Sequence, residues 1–218
     1  MKPYYQDDQV TLYHGDCLEV AEWLNADVLI MDPPYGSDSE NFGYGRRQNN
    51  GDGKQREGAQ IANDGTTETR DAALALWGVG PILCFGSPRL PDPPGNWADR
   101  LVWDKKRPGM NGGPWRYRHE SIYVTAGFER RNNETTSILV AFPDQSLHIH
   151  AKPLGLMTSL VDCAPRGVIA DPFAGSGTTL VAAQNLGSRA IGVELEERYC
   201  ELIATRLDQM CLDFGEGA

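Results

Sequence analysis

The chain has 218 residues and carries 30 acidic against 20 basic side chains, a formal net charge of −10. This surplus disfavours a protein that coats nucleic acid without specificity, and the length suits one α/β domain with a substantial core. No apolar run is long enough to span a membrane, the N-terminus lacks a signal-peptide core, and the five cysteines form no Cys-x-x-Cys pair. We therefore expect a cytoplasmic protein with reduced thiols and no metal site.

The N-terminal part predicts a strand at 10–14, a short helix at 17–25 and a buried strand at 27–32. The second strand ends in Asp32-Pro33-Pro34-Tyr35, where two prolines forbid further ladder pairing. A carboxylate and an aromatic ring are thereby placed at the carboxyl end of a strand, the edge at which open α/β sheets bind ligands. A plain Pro-Pro turn with Asp32 as a cap is the alternative.

Residues 36–68 are polar and glycine-rich, have no apolar periodicity and include Arg46 and Arg47. A loop of this length inside a compact domain is uncommon unless it is functional or disordered. We expect a mobile flap near the substrate, with a plain disordered insertion as the competing interpretation.

The middle of the chain predicts a helix at 71–77 and strands at 81–86, 101–103, 121–125 and 136–141. From 99 to 131 eight Lys or Arg stand against four acids, with Trp103, Trp115 and Tyr117 interleaved. A solvated charged face would explain the charges alone, whereas the aromatic residues favour a phosphate-contacting surface. Its candidate contacts are Lys105, Lys106, Arg107, Arg116 and Arg118.

The C-terminal part predicts a helix at 154–163, a strand at 168–171, a helix at 178–186, a strand at 189–193 and a helix at 196–210. The strand that ends at Asp171 runs into Pro172-Phe173-Ala174-Gly175-Ser176-Gly177-Thr178. A strand, a glycine-rich turn and a helix start direct backbone N–H groups at a ligand. Glu194 ends the next strand about twenty residues later, where an acid is expected to hold a ribose hydroxyl pair.

Together these residues resemble the amino-methyltransferases that use S-adenosylmethionine to methylate DNA at adenine N6 or cytosine N4. The tetrapeptide at Asp32 matches their catalytic motif and the turn after Asp171 their cofactor motif, while His150-Ala151-Lys152-Pro153 and Gly15-Asp16-Cys17 match two further motifs. The catalytic motif precedes the cofactor motif, as in the family's circularly permuted subgroup. The resemblance implies a doubly wound, mostly parallel Rossmann-like α/β sheet with helices on both faces, in which the strands that end at Asp32 and Asp171 are neighbours at the topological switch point. The run Trp103-Asp104-Lys105 with His119-Glu120 resembles the family's sheet-edge motifs around the target base.

The resemblance also implies a role for each motif. Asp32 and the Pro33 carbonyl would accept hydrogen bonds from the target amine, with Pro34 completing the turn and Tyr35 stacking on a flipped base. For the cofactor, Glu194 would hold the ribose hydroxyls and Asp16 the adenine. The other expected cofactor contacts are Cys17, Asp32, Lys152 and the turn residues Asp171, Phe173, Gly175, Ser176, Gly177 and Thr178. Asp16 as an ordinary helix N-cap and Lys152 as a surface lysine remain alternatives.

The expected activity is methylation of adenine N6 in DNA, because the tetrapeptide begins with Asp whereas relatives acting on cytosine more often begin with Ser. Cytosine N4, RNA and a protein amide are the alternatives. A nicotinamide-dependent oxidoreductase has no need of the tetrapeptide, no Gly-Lys-Ser/Thr follows Gly177 as in a phosphate-binding NTPase, and intact catalytic residues disfavour a non-enzymatic nucleic-acid binder.

We expect one domain over 1–218, without a separate target-recognition domain, because the interval 127–149 has only about twenty residues. A short or relaxed target sequence follows, since base readout needs several side chains in a groove. DNA is the expected partner and the resemblance suggests a bacterial or phage origin. A homodimer and a restriction nuclease partner are left open.

Overall fold

The computed structural model describes residues 1–35, 65–107, 115–130, 136–143 and 151–213. Within these ranges nine strands form one sheet: β1 Tyr5–Gln6, β2 Val10–His14, β3 Val28–Met31, β4 Ile82–Gly86, β5 Asp99–Asp104, β6 His119–Val124, β7 Ile138–Val140, β8 Ile169–Asp171 and β9 Ala190–Glu194. The helices are α1 Glu68–Trp77, α2 Leu154–Asp162, α3 Thr178–Asn185 and α4 Glu197–Asp213, with a short 3₁₀ helix at Glu22–Asn25. None of the helices in these ranges is long and apolar enough to cross a membrane.

The strand order across the sheet is β1-β2-β9-β8-β3-β4-β6-β5-β7. The five strands from β2 to β4 in this order run parallel to one another, while β6 is antiparallel to both of its neighbours and β7 is parallel to β5. Because β3 pairs directly with β8, the two motif-bearing strands are neighbours although they lie far apart in sequence.

The core has two halves, one on each face of the sheet, because successive side chains of a strand point in opposite directions. Val28 and Ile30 of β3 pack on the face covered by α2, α3 and α4, whereas Leu29 and Met31 pack on the face that holds α1 and Trp23 of the 3₁₀ helix. All four side chains are fully buried. This arrangement confirms the predicted doubly wound α/β fold with helices on both faces.

The predicted helix at 17–25 is wrong, since only Glu22–Asn25 forms a helical turn. The Asp16 side chain accepts a hydrogen bond from the Leu18 N–H, and the Asp16 carbonyl accepts from Glu19 and Val20. Asp16 therefore closes a tight turn with its own oxygens, in the way that Asp competes with a regular helix. The edge strand β1, which has two residues, was not predicted.

Candidate active site

Four acidic side chains follow or end the four adjacent parallel strands β2, β9, β8 and β3. Asp16 comes two residues after β2, Glu194 and Asp171 end β9 and β8, and Asp32 directly follows β3. The carboxyl ends of parallel strands meet at one edge of a sheet, so the four acids lie along the same edge. The sequence motifs that were interpreted separately thus belong to one region.

The turn between β8 and α3 depends on two glycines. Gly175 and Gly177 have φ angles of 54° and 77°, in the left-handed region that glycine adopts most readily. A Cβ at Gly177 would lie 2.7 Å from Cγ1 of the buried Ile203 in α4. The turn therefore packs closely against α4, and Gly177 is the residue that precedes the first turn of α3.

Glu194 holds this turn in place. Its carboxylate accepts hydrogen bonds from the Gly175 N–H at 2.7 Å and from the Glu196 N–H at 2.8 Å. Burial raises the pKa of Glu194, against the lowering effect of these two N–H donors. Each carboxylate oxygen keeps a further lone pair, so the position that sequence spacing assigned to ribose can still accept a hydroxyl.

Asp171 is almost completely buried and accepts a hydrogen bond from the Phe173 N–H at 3.1 Å. Burial raises its pKa to about 7, despite hydrogen bonds from Thr179 and Phe173 that favour the charged form. Cys17 is buried on the face of the sheet that holds α1 and the 3₁₀ helix, and burial raises the pKa of its thiol to about 12. Its assignment to cofactor binding stays a prediction.

A cleft with about 350 Å³ of empty volume opens between the two motifs. Its wall combines side chains from the catalytic motif, the segment before α2, and the glycine-rich turn with the start of α3. The lining residues are Asp32, Ala151, Lys152, Met157, Asp171, Phe173, Ala174, Ser176, Thr178 and Thr179. Ligand sites are common at the switch point of a doubly wound sheet.

The Asp32 carboxylate is engaged through both oxygens. Oδ1 accepts a hydrogen bond from the Tyr35 hydroxyl at 2.6 Å, and Oδ2 forms an ion pair with the Lys152 ammonium group. Lys152 is only 9% exposed, so its interpretation as a surface lysine is wrong. The sequence could not show this burial, because the acids that compensate the charge come from distant strands.

Glu120 of β6 belongs to the site, although the sequence analysis gave it no role beyond its resemblance to a sheet-edge motif around the target base. Its Oε2 lies 3.1 Å from the Tyr35 hydroxyl and 3.3 Å from Lys152 Nζ, and its Oε1 forms an ion pair with Lys105. Burial alone would raise the pKa of Glu120, yet Lys152 and Lys105 outweigh it and lower the pKa to about 2. An acid two residues before the apolar run Ile122-Tyr123-Val124 is the signal that could have identified it.

The predicted DNA-contacting cations of the described part lie after β5 and before β6, where several already have acidic partners. Besides Lys105 with Glu120, Arg118 contacts Asp104 at 2.7 Å and Lys106 contacts it at 3.7 Å. Arg107 and Arg116 are exposed. Residues 36–64, which include Arg46 and Arg47 and most of the predicted flap, lie outside the described residues. The same holds for 108–114 and for His150 of the His150-Ala151-Lys152-Pro153 motif.

The aromatic residues of this band do not share one environment. Trp103 is only 2% exposed and its indole N–H donates to the Ala141 carbonyl, so its interpretation as a surface residue is wrong. Trp115 is 77% exposed and Tyr117 is 38% exposed. Two aromatic rings therefore remain available to solvent beside the exposed Arg116.

Comparison with known proteins bears on this fold and site. A family model for DNA methylases of the N6/N4 type matches residues 102–205. The type II methyltransferase M.ScaI of Streptomyces caespitosus is 24% identical over 269 residues, which cover 95% of this chain and 84% of that protein. M2.LlaDCHI of Lactococcus lactis subsp. cremoris, also a type II methyltransferase, is 24% identical over 251 residues, covering 95% and 93%.

Two solved structures show the same architecture. The complex of M1.HpyAVI with SAM superimposes with a TM-score of 0.60 at 21% identity and covers 90% of this chain and 99% of that one. The PvuII DNA methyltransferase, described as cytosine-N4-specific, gives a TM-score of 0.65 at 14% identity and covers 94% and 88%.

The fold is that of the Rossmann-like DNA methyltransferases. More narrowly, the family model and the relatives that span nearly the whole chain confirm the resemblance to the DNA amino-methyltransferases.

Proposed function

We propose that this protein transfers the methyl group of S-adenosylmethionine to the exocyclic N6 amine of an adenine in DNA. The observation that carries the proposal is the direct pairing of β3 with β8. It brings Asp32, the first residue of the Asp-Pro-Pro-Tyr tetrapeptide, into the same cleft as Phe173 and Ser176 of the glycine-rich turn. A methyl donor and an amine must lie within reach of each other for direct transfer, and this cleft offers both positions.

The residues present fit S-adenosylmethionine. Glu194 keeps free lone pairs for the ribose hydroxyls next to the turn that it anchors, and the partly exposed Asp16 is a candidate acceptor for the adenine amine. Phe173 and Thr178 line the same cleft as Asp32 and Asp171, whose acidic groups suit the positive sulfonium end. We assign Gly175, Ser176 and Gly177 to the wall around the methionine portion.

When bound, this cofactor supplies an electrophilic methyl group on sulfur. Asp32 and the Pro33 carbonyl accept the N–H groups of the target amine, which favours a more tetrahedral and nucleophilic nitrogen. Tyr35 stacks on the extruded base, because a base inside a duplex cannot reach the cleft. The amine then attacks directly, and no covalent intermediate with a cysteine is needed.

The choice of adenine N6 rests on the Asp at the first position of the tetrapeptide. Cytosine N4 is the second candidate, since the PvuII enzyme with the same fold is described as cytosine-N4-specific. The related tetrapeptides of enzymes that modify RNA or protein amides make those substrates the more distant alternatives.

We further propose that residues 1–218 form a single domain and that DNA is held mainly through phosphate contacts. Arg107 and Arg116 are exposed, and Lys106 and Arg118 would exchange Asp104 for phosphates. Lys105 would contact a phosphate while it keeps its ion pair with Glu120. Arg46 and Arg47 are assigned to the same role from sequence. With so little chain for base readout, the target is short or relaxed.

The direct test incubates the purified protein with DNA and S-adenosylmethionine carrying a tritiated methyl group, followed by nucleoside digestion and mass spectrometry. Labelled N6-methyladenine is the expected product. N4-methylcytosine alone would replace adenine by the second candidate, and label in RNA or protein but not in DNA would refute the proposal.

A further inference from the structure

Four side chains form one partly buried network beside the cleft, in which Lys152 and Glu120 are buried and Asp32 and Tyr35 are half-buried. Tyr35 donates to Asp32 Oδ1, Lys152 pairs with Asp32 Oδ2, and both of these donors also lie within reach of Glu120 Oε2, at 3.1 and 3.3 Å. Lys152 Nζ and the Tyr35 hydroxyl are 3.4 Å apart. Each donor therefore has two alternative acceptors, one on Asp32 and one on Glu120.

This arrangement makes Asp32 a weaker acceptor for its proposed role. Each Asp32 oxygen already accepts from one donor, so the target amine would share each oxygen's remaining lone pair with Tyr35 or Lys152 in place. The Lys152 ammonium also withdraws electron density from the acceptor and repels positive charge that develops on the amine during methyl transfer. Asp32 becomes a stronger acceptor when these donors move away.

Glu120 is placed to take them. It is 9% exposed, its carboxylate already lies near both donors, and Lys105 stabilises its negative charge from the other side. The very low pKa of Glu120 means that it stays charged at all physiological pH values. A buried ammonium that leaves one carboxylate must find another, because an unpaired buried charge is costly.

We propose that Glu120 is a positioning residue that receives the Lys152 ammonium and the Tyr35 hydroxyl when the target amine replaces them on Asp32. This inference rests on the proposed function and assigns a role to a residue that the sequence analysis left without one. Lys152 keeps its proton throughout, because Asp32 and Glu120 raise its pKa against the effect of burial. The exchange moves hydrogen bonds between carboxylates and needs no proton from solvent.

The first test is a double-mutant cycle on the rate of methyl transfer in a single turnover. Glu120→Gln keeps the shape of the side chain and removes its charge, so Lys152 stays on Asp32. We expect Glu120→Gln to lower the rate of methyl transfer about tenfold or more in the otherwise wild-type protein. The same change should lower the rate less than about threefold in a protein that already carries Lys152→Met. Glu201→Gln, the same change on an exposed residue of α4, is the matched control and should change the rate by less than about twofold.

The second test measures binding without turnover, with S-adenosylhomocysteine and a duplex that carries either adenine or purine at the target position. Purine lacks the 6-amine, so the ratio of the two dissociation constants reports the hydrogen bonds of the amine to Asp32 and to the Pro33 carbonyl, of which the bond to Asp32 is the one that Glu120 affects. We expect a preference of about tenfold for adenine in the wild type, less than about twofold in Glu120→Gln, and recovery in Glu120→Gln/Lys152→Met. A purely structural role of Glu120 would weaken both duplexes alike.

The two readouts separate the inference from the function on which it rests. A wild-type protein that methylates no DNA refutes the proposed function and the exchange with it. An active wild type with equal losses from Glu120→Gln in both backgrounds, or with an unchanged preference for adenine, overturns the exchange alone.

Discussion

Replacement of Gly177 by alanine should lower the free energy of unfolding by about 2–5 kcal/mol, the sum of a backbone cost and a packing cost. Gly177 has a φ of 77°, and an L-residue in the left-handed region costs about 1–2 kcal/mol. The new Cβ would also lie 2.7 Å from Cγ1 and 3.1 Å from Cγ2 of Ile203. Ile203 is fully buried in α4 and has little room to yield, so we add an overpacking cost of about 1–3 kcal/mol.

Gly187→Ala is the matched control for this prediction. Gly187 has a similar φ of 69°, but no atom lies within 4 Å of the position of its added Cβ. Urea unfolding followed by tryptophan fluorescence should therefore show only the backbone cost of about 1–2 kcal/mol at Gly187 and a clearly larger loss at Gly177. Equal losses in the two variants would refute the close approach of the turn to α4.

Three further predictions concern charge. The pKa of Asp171 is raised to about 7 in the folded state, so its protonation stabilises the fold fully below about pH 4, and this contribution is lost as pH rises through 7. The wild-type free energy of unfolding in urea should therefore fall between about pH 5 and 8, and Asp171→Asn should lack about 2–3 kcal/mol of this fall. Parallel pH profiles of the unfolding free energy in the two proteins would contradict this. Glu194→Ala leaves the N–H groups of Gly175 and Glu196 without their acceptor, so calorimetric titration should show S-adenosylmethionine binding weakened by about 1–3 kcal/mol, whereas unchanged affinity would remove Glu194 from the site. Arg116→Glu should weaken binding to all DNA sequences alike and reduce the salt dependence of the affinity, and a loss confined to one sequence would assign it to base readout instead.

The sequence identifies the elements that carry the motifs because each is an apolar run ended by an acid or a glycine. Val28-Leu29-Ile30-Met31 before Asp32 and the strand before Asp171 are buried on both faces, so they are hydrophobic throughout and not alternating. The adjacency of these strands came from the family resemblance and is confirmed by the β3–β8 pairing.

The network around Asp32 could not be predicted from local patterns. Glu120 reaches the site because β6 inserts antiparallel between β4 and β5, a pairing that depends on the whole sheet. Lys152 is buried only because Asp32 and Glu120 are both present to compensate its charge. The predicted helix at 17–25 failed for the opposite reason, since the local hydrogen bonds of Asp16 override an apolar spacing typical of a helix.

The central claim is that Asp32 activates an amine beside a bound methyl donor. The most direct test is to measure methyl transfer to DNA and S-adenosylmethionine affinity together in Asp32→Ala. The account predicts that transfer is abolished while cofactor affinity stays within a few-fold of wild type, because Glu194 and the glycine-rich turn are untouched. Wild-type turnover in this variant would contradict the assigned chemistry.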